Sequence, residues 1–494
     1  MGRGSGAVCF GFVVLAGCGR VGFDALADAA PDGSLGIAGP SLTAARRCTG
    51  PFIVDLLDAT GAPEPSDATT TVEVTGGMSG RFFTDSGCTT TSSMLAIGPG
   101  EANTSFYFQD ALAEQPTLTA TANGRASGSL SVSVRMIAAG DQHTCVAYEG
   151  KLACWGRGNE GQLGLSGTAN AMVPTRLPTF SSGVVAVSAG GSVTCAIVNG
   201  GAWCWGANNT GQLGNGTVGG MAMVPGPVQD LNAGVTAIAA GDRHACGLVG
   251  DAAWCWGYNM EGEVGIGTFT AFEPPTAVPG LDKDVEVIAT GYDHTCVIVH
   301  GVAACWGHND NAPGGSPFGY VDAAGSTNMY GQPVSNLATD AAYIEVAGFH
   351  TCAVMRSGAA WCWGAQGGTF NLGDGTTNDS TMPRQPVGLS SGVTDVTLGQ
   401  SNNPGNCVVR DRGAYCWGQN TSGSVGDNSL QDKDRPTAVI NLGSGVMAIA
   451  TGEDHACALV DDGSVACWGA GVQGQLGDGV GAPSPTRVFT TALP

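Results

Sequence analysis

Short apolar and β-branched runs alternate with Gly-, Asn- and Asp-rich turn signals along most of this chain. Between residues 46 and 135, the run Phe52-Ile53-Val54-Asp55-Leu56-Leu57 precedes Asp58-Ala59-Thr60-Gly61. Thr69 to Thr75 alternates apolar and polar positions and ends at Gly76-Gly77. Ser105-Phe106-Tyr107-Phe108 follows, and Thr117 to Ala122 and Ser129 to Val134 flank Asn123-Gly124. Period-two alternation bounded by turn residues predicts strands. Six or seven such strands in this stretch predict a β-sandwich.

From about residue 136 to 494 the chain repeats itself. Each unit reads as a β run, a Gly, His-Thr-Cys, a hairpin, Cys-Trp-Gly and then Gly-Gln-Leu-Gly. The first cysteine falls at 145, 195, 246, 296, 352, 407 and 457. The second falls at 154, 204, 255, 305, 362, 416 and 467, always followed by Trp-Gly. Seven units at a fixed period predict a repeat architecture in which neighbours bury each other's faces.

Hairpin geometry tests the cysteine spacing. With Glu149-Gly150 as a two-residue turn, residue 148 pairs with 151 and Cys145 lands opposite Cys154. Counting from the turn, that is a non-hydrogen-bonded pair, where side chains approach most closely. Asn199-Gly200 is the strongest two-residue hairpin signal. Where the spacing grows by one, the loop does too: Arg356-Ser357-Gly358 and Asp461-Asp462-Gly463 read as three-residue loops with a left-handed glycine. The register therefore survives, and seven cross-strand disulfides are expected: Cys145–Cys154, Cys195–Cys204, Cys246–Cys255, Cys296–Cys305, Cys352–Cys362, Cys407–Cys416 and Cys457–Cys467. In the sandwich, Cys48 and Cys88 are the only cysteines, and a Cys48–Cys88 staple is expected.

His143, Cys145 and Cys154 on one hairpin would also suit a metal. The second repeat, however, has Val193 in place of the histidine and the sixth has Gly405, yet both keep their cysteine pair. No metal and no cofactor are expected. His143, His244, His294, His350 and His455 are expected to bind loop backbone. Acidic loops at Asp374-Gly375 and Asp427-Asn428 are where a weak calcium site would fall.

The first residues read as an address. Arg3 is followed by an apolar run from Ala7 to Leu15, which fits a signal-peptide core and is too short to span a bilayer as a helix. Leu15-Ala16-Gly17-Cys18 resembles the bacterial lipobox, which implies cleavage before Cys18 and acylation of its thiol. Residues 1–18 are thus expected as a lipoprotein signal peptide and 19–45 as a flexible tether. The expected location is the bacterial cell envelope, lipid-anchored to the outer membrane or surface, with plain secretion as the alternative. Either route leads to an oxidising compartment, where disulfides persist.

Two further resemblances fix the expected fold class. The segment 46–135 resembles the immunoglobulin-like modules of bacterial surface proteins. Ala138-Ala139-Gly140-Asp141-Gln142-His143-Thr144-Cys145, Cys154-Trp155-Gly156 and Gly161-Gln162-Leu163-Gly164 resemble the repeat of the regulator of chromosome condensation family. Ile449 to Cys457 with Gly474-Gln475-Leu476-Gly477 matches again. The resemblance implies an all-β chain: a seven-bladed β-propeller over 136–494, preceded by an immunoglobulin-like β-sandwich over 46–135. The family's founding role, exchange on a small GTPase at chromatin, is not expected of an exported acidic chain without a basic tail.

Composition sharpens the function classes. Asp and Glu number 41 against 19 Lys and Arg, for a formal charge of −22, which disfavours phosphate backbones and so excludes nucleic acid as a partner. No nucleophile elbow, zinc-protease motif or phosphate loop is present. The expected function is a non-catalytic scaffold for an extracytoplasmic protein or glycan. The alternatives are a polysaccharide-acting enzyme with its site at the channel mouth and a structural or adhesion component. The fourth repeat replaces Gly-Gln-Leu-Gly with a long loop carrying Phe318, Tyr320, Asp322, Met329 and Tyr330, the candidate binding loop. The sixth repeat carries an amide-rich loop, Gln400 to Asn406.

Overall fold

The structure, a computed structural model, describes residues 34–494 apart from 45–48, 59, 77–79, 86, 87, 89, 111, 113, 114, 124, 309–327, 336, 338, 367–370 and 400–404, and the side chains of 44, 49 and 328–332. Among the described residues it is all β. Two four-stranded sheets come first. One orders Ser34–Ala38, Thr49–Leu57, Asn103–Gln109 and Arg81–Phe83; the other orders Met94–Ile97, Thr70–Thr75, Thr117–Thr121 and Gly128–Ser131. The inward positions of both share one core of Phe52, Val54, Val72, Val74, Phe106 and Leu118. Phe52 stacks on Phe106 with centroids 5.2 Å apart.

Residues 34–44 are not the tether expected from their Gly- and Ser-rich composition. Leu35 is fully buried, and Ser34–Ala38 pairs with Thr49–Leu57. Leu42–Ala44 then pairs in parallel with Ser133–Arg135, the start of the first repeat. The boundary expected at 135/136 falls inside the strand Ser133–Ala139. Hydrophobic burial of Leu35 and pairing across distant sequence outweigh the local turn composition, which is a weak signal.

Seven repeat sheets follow, each with four antiparallel strands in chain order, the first extended by the parallel strand Leu42–Ala44. The first strand of every sheet lines an axial cavity of about 120 Å³. The last strand lies outermost and carries proline in every sheet: Pro174, Pro225, Pro274, Pro333, Pro383, Pro436 and Pro485. Proline has no N–H to leave unpaired, so it suits an edge and discourages further strand pairing.

Each central hairpin has the register derived from its turn. Cys145 faces Cys154 with Tyr148 opposite Lys151, and Glu149 and Gly150 have φ of 51° and 72°. All seven pairs are bonded with Cα atoms 4.0–4.1 Å apart, the close approach of a non-hydrogen-bonded site. Each bridge removes two hydrogens, so the unreduced repeat segment should weigh about 14 Da less than the fully reduced one by mass spectrometry. An unchanged mass would contradict the bridges.

The glycine of Cys-Trp-Gly is fixed by backbone geometry. Its φ lies between 100° and 109° in all seven repeats, where the ladder to the outer strand shifts register. A Cβ at Gly206 would sit 2.3 Å from the Ser192 carbonyl oxygen. Gly206→Ala is therefore expected to destabilise by about 3 kcal/mol or more; a urea midpoint equal to that of the parent chain would contradict this.

Candidate functional site

The repeated motif residues are spent on seams between neighbouring sheets. The tryptophan of every Cys-Trp-Gly is fully buried. Trp205 Nε1 donates to the Gln162 carbonyl at 2.9 Å, Trp256 to Gln212 at 3.0 Å and Trp306 to Glu263 at 2.8 Å. Each acceptor is the third-from-last residue of the preceding Gly-Gln-Leu-Gly turn. Trp155 donates to the carbonyl of Gln475, so the seventh sheet meets the first by the same bond.

The histidines complete these seams. His143 Nε2 lies 2.8 Å from Thr194 Oγ1 of the next sheet, and His244 pairs likewise with Thr295 at 2.8 Å. His294 pairs with Thr351 at 3.0 Å, His350 with Asn406 at 2.9 Å and His455 with Thr144 at 2.8 Å. Thr194 Oγ1 donates to the Gln162 carbonyl, and Asn406 Nδ2 donates to that of Asn371. Each hydroxyl or amide oxygen must then accept, which assigns the proton to Nε2 of the histidine. The expectation that these rings bind loop backbone is corrected: they bind the neighbour's side chain. Where a repeat lacks histidine, the next repeat lacks the partner. Val193 faces Ala245's position and Gly405 that of Ala456. Burial holds four of these rings neutral, pushing His143 and His244 down to about 3 and His350 and His455 to about 4.

The two ends of the axial cavity differ. Its wall is mostly alanine, valine and isoleucine, with Arg135, Glu345 and Asp395 as the ionisable residues. Ser188 Oγ and Asp395 Oδ2 each accept an inner-strand N–H of the following sheet, Ala240 at 2.9 Å and Ile449 at 3.1 Å. At one end, Leu42–Ala44 lies against the first inner strand, and Arg135 Nη1 donates to the Gly463 carbonyl at 2.6 Å. At the other end, the described loops before the histidine position, those of the first to fifth and seventh repeats, form a mouth.

This mouth breaks the sevenfold pattern. The two residues before the histidine position are Asp141-Gln142, Gly191-Ser192, Asp242-Arg243, Tyr292-Asp293, Gly348-Phe349 and Glu453-Asp454 in the first to fifth and seventh repeats. The Arg243 guanidinium carbon stands 4.2 Å from the centre of the Tyr292 ring and 5.4 Å from that of Tyr258, and Nη2 donates to the Tyr292 hydroxyl. Tyr292 and Phe349 follow with centroids 6.3 Å apart. All four side chains are half-buried. They form one aromatic–guanidinium shelf across the third to fifth repeats.

Carboxyl groups flank the shelf. Gln142 Nε2 donates to Glu453 Oε2 at 3.1 Å, and Asp141 N–H donates to the Gly191 carbonyl at 3.0 Å. Gly191, at φ 47°, leaves the space that the Asp242 carboxylate fills. Burial, with Asp242 and Glu453 nearby, pushes Asp141 up to about 7. Burial also raises Asp242, eased by Arg243, and it raises Asp454, with Glu453 adding to it. Asp293 runs the other way. Burial pushes it up, but the imidazoles of His294 and His308 beside it outweigh this and hold it below its ordinary value. His308 Nδ1 stands 3.0 Å from Asp293 Oδ2.

The residues singled out by sequence fall elsewhere. Cys18, Cys48, Phe318, Tyr320 and Asp322 lie outside the described residues. Cys88 is disulfide-bonded. Met329 and Tyr330 sit on the outer strand Asn328–Pro333 of the fourth sheet. The acidic loops satisfy themselves. Asp374 accepts from Thr376, and Asp427 pairs with Lys433 Nζ at 2.8 Å. Among the described residues no group of three His, Cys, Asp or Glu is arranged to hold a metal. The mouth shelf was missed because the repeat was read for what recurs; reading the two columns before the histidine for what does not recur finds it.

Comparison with known proteins agrees with this architecture. The model of the Regulator of chromosome condensation (RCC1) repeat matches residues 149–197, 199–248, 251–298 and 413–459, and a second model of that repeat matches 134–162 and 447–475. The human probable E3 ubiquitin-protein ligase HERC3 is 29% identical over 158 residues, 31% of this chain and 15% of that protein. The mouse regulator of chromosome condensation is 28% identical over 143 residues, 28% of this chain and 34% of that protein. The chain thus spans about a third or less of these curated relatives. Yeast RCC1 (Prp20), solved bound to Kap60, superposes with a TM-score of 0.58 at 21% identity, covering 69% of this chain and 83% of that one. Human WBSCR16 superposes with a TM-score of 0.56 at 20% identity, covering 66% and 85%. With these neighbours the sheets are those of a β-propeller, and the chain carries regulator of chromosome condensation repeats over the matched residues.

Proposed function

We propose that this chain is a cell-envelope lipoprotein, acylated at Cys18, whose disulfide-stapled repeats act as a non-catalytic scaffold for an extracytoplasmic protein or glycan. In this reading the seven sheets close as a seven-bladed propeller behind an immunoglobulin-like sandwich, and the partner docks on the open mouth. The observation that carries it is the contrast within the repeat. Motif residues are consumed by seams, while the unrepeated Tyr258, Arg243, Tyr292 and Phe349 gather half-exposed at one mouth. Tyr and Arg are the residue types that dominate binding hot spots. The yeast relative Prp20p binds Gsp1p and histones. Exchange on a small GTPase is not proposed here, nor is a nucleic-acid partner, which the charge of −22 disfavours.

The test is capture of envelope components on the purified full chain, with Arg243→Ala and Phe349→Ala as comparisons. Saturable capture that both substitutions weaken supports the reading. Capture indifferent to both would sink it. A second reading, a polysaccharide-acting enzyme, draws on the Asp293–His308 pair at the same mouth, since a buried carboxylate that orients an imidazole is a common acid–base arrangement. It expects turnover of a polysaccharide that His308→Asn abolishes while binding persists.

A further inference from the structure

Three features of the mouth restrict the chemistry of a ligand. The first is a row of ring faces. The Tyr258 ring, the Arg243 guanidinium, the Tyr292 ring and the Phe349 ring follow one another at 5.4, 4.2 and 6.3 Å, with the last two rings tilted by 46° to each other. Rings with one accessible face and a polar tip suit ligands that are apolar on one side and polar on the other. The second is the flanking set of hydrogen-bonding groups, the carboxyls of Asp141, Asp242 and Glu453 and the amide of Gln142, on the neighbouring loops of the same mouth. The third is charge. Acidic residues dominate this rim, which opposes an anionic ligand.

Burial keeps part of this carboxyl set protonated near neutrality, as for Asp141 at about 7. A protonated carboxyl both donates and accepts, so such a rim matches hydroxyl groups better than it matches a lysine or arginine, which needs full ionisation.

We propose that the mouth binds an uncharged oligosaccharide, whose sugar rings stack on Tyr292 and Phe349 while its hydroxyls bond to Asp141, Asp242, Gln142 and Glu453. This rests on the scaffold reading and names its ligand class.

Calorimetric titration of the full chain tests it, with fragments of β-1,4-glucan, chitin and α-1,4-glucan as neutral probes. An oligouronate and a lysine-rich peptide serve as charged ones. At least one neutral fragment is expected to bind, and Tyr292→Ala or Phe349→Ala should weaken it roughly tenfold. Tyr292→Phe, which keeps the stacking face and the fold, should retain most of the affinity. Three results would overturn the proposal: no neutral fragment binding at millimolar concentration, binding unchanged by both alanine variants, or shelf-dependent binding of the peptide or the uronate alone. The third would leave the scaffold reading standing. Failure of all probes together with partner capture indifferent to the shelf would remove both.

Discussion

Acidification from pH 6.5 to pH 4.5 is expected to cost the folded chain roughly 5 kcal/mol, read as a fall in urea midpoint. His143, His244, His350 and His455 have folded-state values pushed to about 3 or 4 by burial, against 6.5 for a free imidazole. Their stabilising contribution is complete above pH 6.5 and is lost as pH falls toward those values. Between pH 6.5 and 4.5 each loses about 2.3 kcal/mol, since one unit is worth about 1.4 kcal/mol and the free imidazole is already half-protonated at the starting pH. Asp141 and Glu263 act in the opposite direction. Burial raises them to about 7 and about 8, so acidification relieves a strain present at neutrality, and they return about 2–3 kcal/mol each. The histidines outnumber them, so the net sign is a loss. A double variant, His143→Val with Thr194→Ala, copies the natural Val193 and Ala245 seam and should show a shallower pH dependence. Equal midpoints at the two pH values would refute this account of the seams.

Glu263→Gln is expected to stabilise the chain by about 3 kcal/mol at pH 7 and by more at pH 8. Three repeats place Gln at this point of the turn, Gln162, Gln212 and Gln475, where its Oε1 accepts a turn N–H, and Gln212 Nε2 also donates to the Asp242 carbonyl at 3.3 Å. Glu263 keeps the first bond, through Oε2 from the Glu261 N–H at 3.0 Å, but its fully buried Oε1 has no hydrogen-bond partner. An acceptor stands where those three repeats have a donor, which is why burial raises its pKa so far. Its stability is complete below 4.5 and is lost as pH rises toward about 8. The substituted chain should match the parent at pH 5 and pull ahead as pH rises; a constant gap would argue against an ionisation effect.

Much of the fold was readable in the sequence because it is local. A two-residue turn fixes which cysteines face each other, and Arg356-Ser357-Gly358 compensates for the longer spacing of its own pair. The strands at 34–44 were not readable. Ser34–Ala38 and Leu42–Ala44 are held by partners at 49–57 and 133–135, and their own glycines and serines argue for loop. The histidine seams lie between those cases. His143 and Thr194 are 51 residues apart, and no local pattern joins them. The joint loss at Val193 with Ala245 and at Gly405 with Ala456 carried the information, but as a relation between repeats. The candidate site was least visible, because its residues are defined by failing to repeat and gather only when three sheets stand side by side. The loop with Phe318 and Tyr320 drew attention through composition alone, and the shelf through arrangement.

The strand Leu42–Ala44 also gives the molecule a direction. It brings the N-terminal part of the chain to the covered end of the axis, opposite the mouth with Tyr292 and Phe349. A lipid at Cys18, as proposed, would then hold the covered end toward the bilayer and turn the aromatic mouth outward. Orientation at the cell surface would follow from one three-residue pairing rather than from any charge or patch on the repeats. Lengthening the segment before Ser34 would change how far the mouth stands from the membrane without changing which way it points.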